Sequence, residues 1–160
     1  MKEKILEKLN LNFKNAIREV QEFRGELTLL VKKEEIVNIC RFLRDDSELK
    51  FDFLRDICGV DSYQPGDRFE VVYNLYSLVN KFRLRLKIHL DENEPHVKTV
   101  SDVWPAANFA EREAYDMYGI IFDGHPDLRR IYMPEEFEYY PLRKDFPLMG
   151  IPGSLSLPRK

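Results

Sequence analysis

The sequence predicts an α+β fold: a mainly antiparallel sheet packed by helices, in the order α-β-β-α-β-β-β-α, followed by an extended Pro-rich C-terminal arm. Three observations predict it. Across residues 82–90, Phe82, Leu84, Leu86, Ile88 and Leu90 alternate with Arg83, Arg85, Lys87 and His89, the period-two pattern of a strand with one buried face. Ile36, Ile39, Cys40 and Leu43 follow the i, i+3, i+4, i+7 spacing of an apolar helix stripe. Six of the nine prolines fall between Pro126 and Pro158, where regular helix or strand cannot persist.

Lys2 to Leu9 reads as a short helix with Ile5, Leu6 and Leu9 on one face. Ala16 to Phe23 and Glu26 to Val31 read as a hairpin turning at Arg24-Gly25. The second helix carries Glu34 and Glu35 in its first turn and Arg41 and Arg44 near its end, the charge order that suits the helix dipole. Phe51 to Val60 reads as a strand, Pro65-Gly66 as a turn, and Phe69 to Leu78, rich in Val and Tyr, as another strand. Asp91 to Pro95 is a turn. A last helical region begins at Ser101, with Pro105 tolerated near its start. Its stripe of Val103, Ala107, Ala110, Ala114 and Met117 is mostly small, which allows close approach to the sheet, and Gly119 ends it. Residues 1–122 thus form the α+β domain and 123–160 the arm.

The arm combines its prolines with Tyr132, Phe137, Tyr139, Tyr140 and Phe146. Disordered tails are poor in such aromatics, so the segment needs a surface to bury them. Either it folds back over its own domain or it wraps another chain; its length against a small domain favours the second.

A chain of 160 residues suits one domain with a real core. Its net charge of -3 gives no global attraction to nucleic acid or anionic lipid. No signal-peptide pattern opens it, and apolar runs such as Leu29 to Val31 fall far short of the roughly 20 residues of a spanning helix. The reading is a soluble protein in which Cys40 and Cys58 are reduced, buried thiols. There is no Cys-x-x-Cys or His-x-x-x-His, no dinucleotide or phosphate-binding glycine fingerprint and no nucleophile elbow. His89, His96 and His125 are scattered. Glu111, Arg112, Glu113 and Asp116 are the best acid–base candidates. Arg112 and Asp116 share a helix face while Glu111 and Glu113 point to different sides. With no nucleophile or cofactor motif nearby, an ion-pair network tying helix to arm is the better reading. The basic face of Arg83, Arg85 and Lys87, with Arg129-Arg130 and Arg143-Lys144, reads as solvated or protein-contacting in a net acidic chain, not as a nucleic-acid site.

Three segments carry a family resemblance: Trp104 to Ile120 (WPAANFAEREAYDMYGI), Gly124 to Ile131 (GHPDLRRI) and Pro141 to Leu148 (PLRKDFPL). Together they resemble the C-type subunits of the proton-pumping NADH:quinone oxidoreductase, respiratory complex I. Tyr139-Tyr140 stand where that family often has Gly-His or Gly-Trp before Pro-Leu-Arg-Lys.

The resemblance implies a non-catalytic scaffold subunit of the peripheral arm, in the quinone module. It would hold no cofactor itself, with FMN and iron–sulfur clusters in other subunits. Its C-terminal segment would lie against the large D-type subunit, with the B-type subunit nearby. It would sit peripherally on the cytoplasmic face of the bacterial inner membrane, attached only through the complex. Equivalent subunits of energy-converting hydrogenases, formate hydrogenlyase-type complexes or other quinone-reducing dehydrogenases are the alternative. The expected partner-binding residues are Glu111, Arg112, Glu113, Asp116, His125, Asp127, Leu128, Arg129, Arg130, Pro141, Leu142, Arg143, Lys144, Asp145 and Phe146. Arg112, Arg129, Arg130 and Arg143 are expected to grip carboxylates, with Asp116, Asp127 and Asp145 as counter-charges. Phe146 and Leu148 are expected apolar anchors.

Overall fold

Ile5 and Leu9, four residues apart, turn one face of α1 (Lys2–Asn12) into the core of the computed structural model, which describes residues 1–151. A hairpin follows, β1 (Ile17–Phe23) and β2 (Glu26–Val31). Arg24 at φ 50° and Gly25 at φ 84° form its turn, a two-residue loop whose left-handed backbone matches the strand twist. A 3-10 turn at Lys33–Glu35 leads into α2 (Ile36–Asp45), which buries Ile36, Ile39, Cys40 and Leu43 as their spacing predicts. Then come β3 (Phe53–Asp61), β4 (Phe69–Ser77), β5 (Phe82–Leu90), β6 (His96–Lys98), α3 (Ala107–Tyr118) and β7 (Ile121–Asp123).

The five long strands form one sheet in the order β1-β2-β5-β4-β3. Every neighbouring pair is antiparallel except β2 and β5. The inward sets Leu27–Leu29–Val31, Phe69–Val71–Tyr73–Leu75 and Leu84–Leu86–Ile88–Leu90 join the buried faces of all three helices in one core, so the helices cover a single sheet face. On the other face Arg83 and Arg85 pair with Glu26, and Lys87 with Glu70. The basic stripe is paired strand to strand, which suits an open sheet face.

The structure adds two elements to the expected order. β6 and β7 are three residues each and pair in parallel, His96 opposite Ile121 and Lys98 opposite Asp123. Three residues are too few to display alternation. Residues 101–106 form turns instead of the first turn of a helix, and α3 starts at Ala107, after Pro105. Gly119, at φ 76°, ends α3 in the left-handed conformation, as expected. Both cysteines are free thiols, Cys40 buried and Cys58 half-buried. Among the described residues no helix is long and apolar enough to cross a membrane.

The path of the arm differs from the expectation that it leaves the domain to wrap another chain. From Gly124 to Phe146 it returns over α3 and the β3–β4 end of the sheet. The Leu142 amide bonds the Met117 carbonyl at 3.1 Å, and the Lys144 amide bonds Asp61 at 2.8 Å. The physical reason is local: two carboxylates, Asp61 and Asp116, are buried in the domain and need donors, and the arm supplies them. The expected arm residues beyond 151, including Pro152 and Pro158, lie outside the described residues.

Candidate functional site

Helix α3 presents its acids at different depths. Glu111 and Asp116 are fully buried, whereas Glu113 is exposed, its carboxylate 3.5 Å from the Tyr132 hydroxyl. The Asp116 carboxylate is the centre of the site. One oxygen accepts from the Arg130 guanidinium at 2.7 Å, and the other accepts the backbone N–H groups of Ile131, Tyr132 and Met133 at 3.0, 2.6 and 3.0 Å. Burial alone would favour the neutral acid. The Met133 and Tyr132 amides, the Arg130 guanidinium and the Ile131 amide outweigh it and hold the carboxyl below its ordinary range. Three successive amides pointing at one oxygen fix the backbone of the arm where it crosses the helix.

Arg130 extends this clamp. Its side chain is 9% exposed, donates to the Tyr139 carbonyl and stacks over the rings of Tyr140 and Phe137. Arg112 does not grip a carboxylate. Its guanidinium donates to the Arg129 and Arg130 carbonyls at 3.1 and 3.3 Å, tying the helix to the arm through the main chain. Arg143 likewise donates to a carbonyl, that of Tyr118, at 2.6 Å, and lies between the Phe69 and Tyr140 rings. Burial pushes its guanidinium below the ordinary arginine value. A carbonyl suits both arginines because each lies over an α3 or arm segment whose carbonyls lack helical partners. Arg129 meets the expectation with its neighbour Asp127, in an exposed pair at 3.0 Å.

A second clamp holds the arm's far end. Asp61, at the end of β3, pairs with Arg68 at 2.9 Å and also accepts the Lys144 amide. Asp145 bonds the same Arg68 from the arm at 2.9 Å, and Arg68 stacks on Tyr63 and Phe69. Burial opposes ionisation of Asp61, but Arg68 and the Lys144 and Tyr63 amides hold its carboxyl below the usual range. The sequence reading missed Asp61 and Arg68. Their signal was an acid and a base at the two ends of the Pro65-Gly66 turn, where hairpin ends face each other.

His125 opens the arm. Its side chain is fully buried; its Nδ1 accepts the Asp127 amide at 3.0 Å, so Nε2 carries the hydrogen that the Asn108 carbonyl accepts at 3.1 Å. Leu128 packs against the core. Pro141 is half-buried, and Phe146 is half-buried against Phe137, while Leu142 and Leu148 are exposed. Tyr140 occupies the floor of the arm: a Cβ on Gly119 would lie 2.7 Å from its ring and 2.6 Å from Arg143. Among the described residues no three His, Cys, Asp or Glu side chains come together as a metal ion would need.

Fold and site together define a two-layer α+β domain whose final segment is strapped across its last helix. A family described as respiratory-chain NADH dehydrogenase, 30 Kd subunit, matches residues 29–152. The chain is 55% identical over 145 residues to the C 2 subunit of NADH-quinone oxidoreductase from Rhizobium meliloti, covering 91% of this chain and 79% of that one. It is 52% identical over 144 residues to the NADH-quinone oxidoreductase C subunit of a Roseiflexus species, covering 90% and 83%. Among solved structures it resembles a trypsin-resistant fragment (1-134) of Nqo5, with a TM-score of 0.63 and 32% identity over 79% of this chain and 98% of that one. It also resembles a chain of a membrane-bound sulfane sulfur reductase, an archaeal respiratory membrane complex, with a TM-score of 0.78 and 25% identity over 92% and 86%. The chain belongs to the family of the 30 Kd subunit of respiratory-chain NADH dehydrogenase.

Proposed function

We propose that the chain is a non-catalytic scaffold subunit of a proton-translocating NADH:quinone oxidoreductase, in the quinone module of its peripheral arm. Helix α3 and the arm act as one docking unit for neighbouring subunits, chiefly those of the D and B types. FMN and iron–sulfur clusters belong to other subunits, and this chain meets the cytoplasmic face of the membrane only through the complex. The relatives named as C subunits support membership. The scaffold role rests on one observation: the arm is tied to the domain through its backbone and through Arg130, Arg143 and Asp145, while several of its large apolar side chains still face outward. Tyr132, Tyr139, Leu142, Leu148 and Met149 are exposed on a backbone fixed at Asp116 and Asp61. A segment held in one shape before docking loses less entropy when it docks. Asp116 favours the same reading, since it is occupied by Arg130 and arm amides and is not free for acid–base work.

Mass spectrometry of proteins that co-purify with the chain in mild detergent tests this. The B-type and D-type subunits together with NADH-binding flavoprotein subunits are the expected result. Recovery of the chain alone, with turnover of its own, would overturn it. The likeness to the sulfane sulfur reductase chain favours one second reading, an equivalent subunit in a complex with another electron donor. A hydrogenase-type large subunit with nickel-ligand cysteines in the same preparation would select it.

A further inference from the structure

Glu111 lies apart from the clamps. It is fully buried, yet among the described residues no lysine or arginine pairs with it. One carboxylate oxygen accepts the Val100 amide at 2.8 Å; the other meets the Thr99 hydroxyl and lies 3.9 Å from His125 Nε2. The groups around it offer no full positive charge. Asp102 repels it, the His125 ring uses its Nδ1 to accept the Asp127 amide, and Cys40 of α2 and Tyr73 of β4 lie nearby, disfavoured as anions first by burial and then by its charge.

The Thr99 hydroxyl has one hydrogen and two partners to give it to, Glu111 and, at 2.9 Å, the Ser101 hydroxyl. It also accepts the Ser101 amide at 3.0 Å. With Glu111 ionised, Thr99 donates to the carboxylate. With Glu111 protonated, the acid donates to Thr99, which turns its own hydrogen to Ser101. Both states satisfy every polar atom of the trio without moving a heavy atom.

We propose that Glu111 is a proton-binding site inside the fold, with Thr99 reversing its hydrogen bond as the carboxyl gains or loses a proton, and that the charge on Glu111 governs how firmly His125 seats the start of the arm. The ionised carboxylate attracts the Nε2–H edge of the imidazole; the neutral acid does not. Burial, set against the Thr99 and Val100 donors, pushes this carboxyl up to about 7, so both states are populated near neutral pH.

The test is a pH titration of the full-length chain by carbon-13 NMR with the glutamate side chains labelled, paired with hydrogen-exchange protection of the Asp127 amide. The Glu111 carboxyl carbon should titrate near pH 7, with protection of the Asp127 amide falling at the same midpoint as the pH is lowered. In Glu111→Gln that step in protection should vanish. A Glu111 carbon that titrates in the ordinary range below about pH 5 would overturn the proposal. So would an unchanged protection step in Glu111→Gln. If Glu111→Gln fails to fold, Thr99→Val replaces it: without the reversible hydroxyl the Glu111 midpoint should shift upward, and an unmoved midpoint refutes the proposal.

Discussion

Asp116 gathers four donors on one buried carboxylate, one from Arg130 and three from the amides of residues 131–133. Asp116→Asn keeps the shape but removes the charge and turns an NH2 toward those donors. Breaking a buried charged pair from one side costs about 3–5 kcal/mol, part of which an amide oxygen recovers, so a loss of about 2–4 kcal/mol is expected in urea denaturation. A loss below about 0.5 kcal/mol would show that the clamp is not structural. The sign with pH follows from the lowered carboxyl. The unfolded chain binds the proton more readily, so the Asp116 contribution is present above the ordinary value of 3.8 and is lost as pH falls through the lower folded value. Asp116→Asn should flatten that acid limb. The sequence singled out both, Asp116 as an acid on the last helix with an ion-pair network as its better reading and Arg130 in the GHPDLRRI segment that carries the family resemblance. It could not assign the pairing. The i, i+4 rule put Arg112 and Asp116 on one face, yet the ligand of Asp116 comes from fourteen residues downstream, set by the return of the arm.

At the scale of elements, the end of α3 is where helix, sheet and arm meet. Gly119 allows the left-handed turn there and leaves room for Arg143 and Tyr140 to lie on the chain. Gly119→Ala would strain a positive φ and place a Cβ 2.6 Å from the Arg143 guanidinium. A loss of about 1–3 kcal/mol, seen as a lower Tm, should accompany release of Arg143 from the Tyr118 carbonyl. An unchanged Tm would mean that the arm does not pack on this turn. The long elements were legible because each carries a full period: β5 alternates over nine residues and α2 shows its whole stripe. Gly119 was legible as a stop signal for the same reason. β6 and β7 were not, since their pairing depends on α3 bringing Ile121 back beside His96. The return of the arm was hidden for a related reason: the second clamp is built from Asp61 and Arg68, more than seventy residues before Lys144 and Asp145.

For the whole molecule, the question is whether the arm belongs to the domain or only to the partner. Length and proline content favour the partner, because a segment without regular structure cannot satisfy its own backbone. The clamps favour the domain, because removing the arm strands Asp116 and takes Lys144 and Asp145 from the Asp61–Arg68 pair. The two roles separate by surface. A chain ending at residue 122 should lose both stability and docking, with a deficit of about 1–3 kcal/mol, since water replaces the arm as the partner of Asp116 but not its packing on α3. A full-length chain with Leu148→Ser and Met149→Ser alters two side chains that are wholly exposed, so its stability should stay within about 0.5 kcal/mol of the parent. If those side chains are anchors, its recovery with the B-type and D-type subunits should still fall. Urea denaturation of the three chains, beside their yield in mild-detergent co-purification, decides it. A 1–122 chain as stable as the parent would make the arm a passive tail. A double variant that co-purifies at parental yield would move the contact away from the exposed tip and onto the ridge of Tyr132, Tyr139 and Leu142.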